Sequence, residues 1–144
     1  MFTIEEIMRI VPHRYPFLLI DRVLEYERYK TVTVLKNITI NEAQFQGHFP
    51  NKPIFPGVYI IENQAQASCF LLAKSVENEK TDPDIVYYLG KVSKIAFRHP
   101  VVPGDQLITT ITAGKILGNK AVVSSISRVN DKLIAKGELM FSAV

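Results

Sequence analysis

The chain has 144 residues and a formal net charge of +3, a length that supports one compact domain rather than two. Its 47% hydrophobic and 22% charged residues are enough to build a core without staples, which excludes disorder as the main state. Cys69 is the only cysteine, so an intrachain disulfide and a cysteine-based zinc site are excluded and a cytoplasmic location is expected.

Residues 1–12 carry Glu5, Glu6 and Arg9 among the apolar ones and lack the h-region of a signal peptide. No apolar run reaches the roughly 18 residues of a membrane span. Thr3-Ile4-Glu5-Glu6 has capping-box form, and Ile4, Ile7, Met8 and Val11 follow at helical spacing, which predicts a short amphipathic helix ending before Pro12. Phe17 to Leu24 and Thr31 to Ile40 read as strands. The second places Val32, Val34, Ile38 and Ile40 on one side and Thr31, Thr33, Asn37 and Thr39 on the other.

Residues 41–56 are irregular, with Gly47, Pro50, Pro53 and Pro56 excluding a regular helix or central strand. From Val58 to about Val76 the pattern turns helical, with Ile61, Ala65, Ser68 and Leu72 on one stripe and Ile60, Ala67 and Leu71 beside it. At 1.5 Å per residue this helix is about 27 Å long. Apolar character runs most of the way round it, which predicts a buried central helix. Residues 77–84 read as a surface loop. Strands are then expected at Ile85 to Leu89, Ile95 to Phe97, Gln106 to Leu117, Ala121 to Val129 and Lys132 to Ser142, with turns at Gly118-Asn119 and Asn130-Asp131. The sum is an α+β arrangement, one antiparallel sheet wrapped round one long helix.

Charge is unevenly spread. Between Ile85 and Asn130, Lys91, Lys94, Arg98, Lys115, Lys120 and Arg128 stand against Asp105 alone. The plain reading is a solvated basic face; the sharper one is a docking surface for an acidic protein. Nucleic acid is a poor fit, because no zinc-knuckle spacing, RNP-like aromatic motif or spare helix-turn-helix segment is present.

The chemistry concentrates at residues 45–66. A proline-pinned loop presents His48, a general-base candidate because free imidazole titrates near neutral pH. Gly57 opens the long helix, where unpaired N–H groups can stabilise a developing oxyanion. Glu62 lies in an otherwise apolar stretch, where a carboxyl is costly unless used or satisfied.

Gly47-His48-Phe49-Pro50-x-x-Pro53-x-x-Pro56-Gly57-Val58, with Glu62 following, resembles the signature of the hotdog-fold (3R)-hydroxyacyl-(acyl carrier protein) dehydratases of fatty-acid synthesis. Pro12-His13-Arg14-Tyr15-Pro16-Phe17-Leu18-Leu19-Ile20-Asp21-Arg22-Val23 and Arg98-His99-Pro100-Val101-Val102-Pro103-Gly104-Asp105 agree with it. The resemblance implies a curved antiparallel sheet round one long central helix, homodimers with active sites at the subunit interface, and a homohexamer built as a trimer of dimers. It implies that His48 of one subunit meets Glu62 of the other. His48 would take the C2 proton of the 3-hydroxyacyl thioester, and the Gly57 N–H, with a second backbone donor near Phe49, would stabilise the thioester oxygen. Glu62 would assist the departing hydroxyl, as a protonated acid or as an anion orienting a water. No metal or redox cofactor is needed, since the substrate arrives on the phosphopantetheine of acyl carrier protein.

Phe49, Val58 and Gln66 join the candidate substrate-binding residues; Gln66 lies one turn beyond Glu62 and is placed to hydrogen-bond it. Lys91, Lys94 and Arg98 are candidates for docking the acidic carrier. His13 is read as capping or packing the N-terminal loop and His99 as extending the basic stretch, neither as catalytic. Tyr87 and Tyr88 are candidates to line or gate an acyl tunnel, or simply core. Asn63 and Gln64 depart from the small residue and Met usual after Glu62, which points to altered chain-length preference or interface packing. Three rival functions stand beside dehydration. A hotdog acyl thioesterase would hydrolyse the same thioesters but does not need the His-Phe-Pro loop. A dehydratase with added trans-2/cis-3 isomerase activity resembles a sister family with Asp at the carboxyl position, against which Glu62 argues. A non-catalytic acyl-thioester-binding module would require an appended DNA-binding segment, for which residues 1–11 are too short.

Overall fold

The structure is a computed structural model that describes residues 1–79 and 84–144; the expected loop at 77–84 falls partly outside them. Helix α1 spans Ile4–Met8, and its capping box is complete: the Thr3 N–H donates to Glu6 Oε2 at 2.8 Å and the Glu6 N–H to Thr3 Oγ1. Strands β1 (Arg22–Glu27) and β2 (Thr31–Asn37) follow, then a 3-10 turn at Ala43–Gln46 and the long helix α2 (Gly57–Val76). Strands β3 (Tyr87–Phe97), β4 (Gln106–Leu117), β5 (Lys120–Val129) and β6 (Lys132–Ala143) complete one antiparallel sheet in the order β1-β2-β4-β5-β6-β3. Asn130 and Asp131 both take positive φ in the β5–β6 turn, the geometry that suits Asn and Asp in tight hairpins.

The sheet curves round α2. Ala67, Phe70 and Leu71 are fully buried against Val32, Val34, Ile111, Val123, Leu139 and Phe141, so apolar burial from one helix face and alternate strand positions forms the main core. The expected hotdog architecture is the one observed.

Three expectations change. The strand expected over Phe17 to Leu24 begins only at Arg22. Ahead of it, backbone groups of Phe17 and Leu19 are held by α2 side chains instead of a neighbouring strand: the Leu19 N–H donates to Gln66 Oε1 at 2.7 Å, and the Leu19 and Phe17 carbonyls accept from Asn63 and Gln66. The second strand stops at Asn37, leaving Ile40 exposed. Lys36 shares the buried row with Val32 and Val34, its ammonium held by the Asn37 carbonyl at 2.8 Å and by Glu42 at 2.9 Å. Finally, Ile85 to Leu89 and Ile95 to Phe97 are not two strands. They belong to the single strand β3, which keeps pairing with β6 across two register irregularities, with Lys94 at positive φ in the second.

The polar departures in α2 bond within the chain, except that Gln64 Oε1 has no partner among the described residues. Asn63 and Gln64 are fully buried. Asn63 accepts from Thr109 Oγ1 at 2.7 Å and Gln64 donates to Ser127 Oγ at 3.0 Å, with the two hydroxyls themselves 2.7 Å apart. They thus tie α2 to β4 and β5, and neither lines the cavity at Glu62 described below.

Candidate active site

The loop that carries His48 is closed by its own backbone. The His48 N–H donates to the Gln44 carbonyl, Phe49 and Lys52 exchange N–H···O bonds at 3.1 Å, and the Ile54 N–H reaches the His48 carbonyl. The His48–Phe49 peptide is cis. The imidazole is oriented twice: its Nδ1 lies 2.7 Å from the Ile54 carbonyl, and the Phe49 ring stacks on it with centroids 4.1 Å apart. A carbonyl only accepts, so Nδ1 carries the hydrogen, and in the neutral ring the lone pair is on Nε2.

The same bonds correct the expected second oxyanion donor. The Phe49 N–H is spent on Lys52, so Phe49 contributes its ring and not a free amide. The free donors lie at the start of α2. Intrahelical bonding begins with Tyr59 and Ile60, both donating to the Pro56 carbonyl, which leaves the N–H groups of Gly57 and Val58 without a bond among the described residues, at the positive end of the helix. The Phe97 ring covers Gly57 so closely that a Cβ there would lie 3.3 Å from it. Ile54, Gly57, Phe97 and Arg98 line a cavity of about 330 Å³ at this end.

Glu62 belongs to a different place. Five residues at about 100° each put it about 140° round the helix from Gly57. There it lines a larger cavity, about 600 Å³, with His13, Gln66, Cys69, Tyr87 and Phe141 among its walls. Gln66 Nε2 donates to Glu62 Oε1 at 2.9 Å, and His13 Nε2 lies 3.3 Å from the same oxygen. Burial, with Glu62 adding, pushes the Cys69 thiol up to about 12, and burial likewise raises the Tyr87 phenol. Both are therefore neutral wall groups near pH 7. Tyr88 also lines this cavity and is more than half exposed.

His48 and Glu62 thus share neither a bond nor a cavity within one chain. Lys91, Lys94 and Arg98 are all exposed on or just after β3, and Lys94 is paired with Glu138 at 3.3 Å. His99 is exposed beside the smaller cavity. The residue that sequence reasoning missed is His13. Its Pro-flanked position carries no periodicity that marks a site, and only the docking of residues 12–19 onto α2 brings it to Glu62.

A FabA-like domain model matches residues 11–143. A 3-hydroxyacyl-(acyl-carrier-protein) dehydratase FabZ from Erwinia tasmaniensis is 46% identical over 137 residues, 95% of this chain and 89% of that protein. The chain belongs to the 3-hydroxyacyl-(acyl-carrier-protein) dehydratase family. A dehydratase FabZ from Escherichia coli is 44% identical over the same shares. Among solved structures, the dehydratase heterocomplex ApeI:P from Xenorhabdus doucetiae matches with a TM-score of 0.83 at 15% identity, covering 96% of this chain and 90% of that one. That likeness concerns the fold, and it places the dehydratase chain among hotdog architectures.

Proposed function

We propose that this dehydratase removes water from (3R)-hydroxyacyl groups carried on acyl carrier protein in the fatty-acid elongation cycle, using His48 of one subunit and Glu62 of the partner subunit. Family membership at 46% identity over 95% of the chain carries the reaction; the tautomer of His48 carries its role. With Nδ1–H held by the Ile54 carbonyl, Nε2 is the base that takes the C2 proton. Charge then develops on the thioester oxygen, where the free Gly57 and Val58 N–H groups stabilise it; one such donor contributes about 3–4 kcal/mol to a transition state. The C3–O bond breaks with its electron pair on oxygen, which takes a proton at Glu62 and leaves as water. The product is a trans-2-enoyl thioester. Side chains and backbone supply every step, so no metal or redox cofactor is required.

Separation of the two halves round α2 supports a dimer. So does β3, an edge strand of 11 residues whose Tyr88, Val92 and Phe97 are exposed, since an unpaired apolar edge invites a second copy. The further assembly into a hexamer and the cytoplasmic location rest on the family resemblance. No helix among the described residues is long and apolar enough to cross a membrane. For the acidic carrier, Lys91 and Arg98 are the stronger docking cations, because Lys94 already faces Glu138.

Reversible hydration of a short enoyl thioester tests the reading. His48→Ala and Glu62→Gln should each lose at least a hundredfold in kcat, and full activity of the His48 variant would sink the mechanism. Release of free thiol instead of enoyl thioester would favour a thioesterase. Charge reversal at Lys91 and Arg98 should raise KM for carrier-linked substrate alone.

A further inference from the structure

We propose that His13 is a positioning residue for the dehydration, acting through Glu62; the inference rests on Glu62 serving as the acid at C3. His13 Nε2 approaches Glu62 Oε1 at 3.3 Å, and Gln66 Nε2 approaches the same oxygen at 2.9 Å. No bond from the described residues reaches Oε2. Gln66 donates to Oε1 and the His13 ring nitrogen stands beside the same oxygen, so a hydrogen on Oε1 would face the amide N–H. The proton that Glu62 delivers is therefore assigned to Oε2, the oxygen left open to substrate. After transfer, Oε1 already accepts from Gln66 and faces the His13 ring nitrogen at 3.3 Å, so the new carboxylate is stabilised with little rearrangement.

The surroundings of His13 argue against a purely structural imidazole. Its Nδ1 is buried with no partner among the described residues. A ring kept only for packing leaves a polar atom orphaned where an apolar side chain would not; among the described residues, the one polar side chain this ring approaches is Glu62, at 3.3 Å. The backbone beneath is braced: Arg14 donates to the carbonyls of Met8, Val11 and His13 at 2.6–2.9 Å, which fixes the turn after α1. Gln66 meanwhile accepts the Leu19 N–H and donates to the Phe17 carbonyl. One glutamine thus locks the loop that carries His13 and holds the carboxyl that His13 faces.

The test is steady-state hydration of an enoyl thioester by the full-length protein carrying His13→Leu, His13→Gln or His13→Asn, each also in a Glu62→Gln background. Glutamine places an amide nitrogen at nearly the reach of Nε2, and asparagine falls short of it. We expect His13→Leu and His13→Asn to lower kcat about tenfold to a hundredfold with KM within twofold, and His13→Gln to recover most of the loss. In the Glu62→Gln background the His13 changes should cost nothing further. Where His13→Leu fails to fold, the comparison of glutamine with asparagine decides alone. Equal kcat for the glutamine and asparagine variants, or losses that simply multiply with Glu62→Gln, would overturn the role of His13 while leaving Glu62 as the acid. Full activity of Glu62→Gln itself would instead remove the acid assignment on which the inference rests.

Discussion

Gln66 offers the sharpest test of how the site is held. It is fully buried and makes three bonds: it accepts the Leu19 N–H at 2.7 Å, and donates to the Phe17 carbonyl at 2.6 Å and to Glu62 at 2.9 Å. Replacing it with Met keeps the volume and removes all three. Leu19 is itself buried, so its stranded N–H costs about 1–3 kcal/mol. Phe17 is 41% exposed, so water can reach its carbonyl and the second loss is small. Gln66→Met should therefore destabilise by about 2 kcal/mol, and Gln66→Ala, which also leaves a cavity, by about 3–4 kcal/mol. At about 2–4 °C per kcal/mol, the alanine variant should melt roughly 6–16 °C lower. Urea unfolding at one fixed protein concentration measures this, since the proposed dimer would link stability to concentration. Hydration kinetics of the Met variant should show kcat down about tenfold, because Glu62 loses the amide donor that holds it and keeps only the His13 contact. A Met variant within about 0.5 kcal/mol of wild type would refute the reasoning, because the helix side chain would then not be what holds residues 17–19.

Other outcomes follow from contacts elsewhere. A Cβ at Gly137 would lie 2.0 Å from Ile95 Cγ1, so Gly137→Ala should destabilise by about 1–3 kcal/mol, and adding Ile95→Ala, which removes that atom, should restore part of it in thermal melts. At Gly57 the contact is 3.3 Å to the Phe97 ring; Gly57→Ala should fold normally yet lose activity, and Phe97→Leu in the same chain should recover some of it if crowding of the helix start is the cause. Cys69, with its thiol pushed up to about 12 by burial, should resist alkylation by iodoacetamide from pH 7 to 9 and react only as the chain unfolds. Because the folded value is raised, stability from this group is present at lower pH and declines as pH climbs through the unfolded thiol's range towards 12. Urea titrations at pH 7 and 9.5 on wild type and Cys69→Ala measure that slope, which should be smaller in the variant.

Much of the fold was legible because periodicity reports burial locally. The alternation in β4, β5 and β6 and the helical stripe of α2 gave boundaries within a residue or so of those observed. Two of the misreadings share a cause. Phe17 to Ile20 looks like a strand because it is apolar, but its backbone groups are claimed by Gln66 and Asn63 across 44 to 49 residues. Lys36 occupies a buried row because Asp21 and Glu42 converge on its ammonium. Side-chain capture of a distant backbone leaves no periodic trace in a sequence.

The amino-acid sequence alone determined the candidate chemistry: a proline-pinned His48, a glycine opening a helix, and a carboxyl on a mostly apolar segment, each defined by residue type and short-range spacing. Tertiary structure decided which atoms of those residues are free. It spent the Phe49 N–H on Lys52, turned the His48 lone pair to Nε2, and brought His13 to Glu62. Such assignments depend on which loop docks on which helix face, and docking is a property of the packed chain, where each buried donor must find its acceptor.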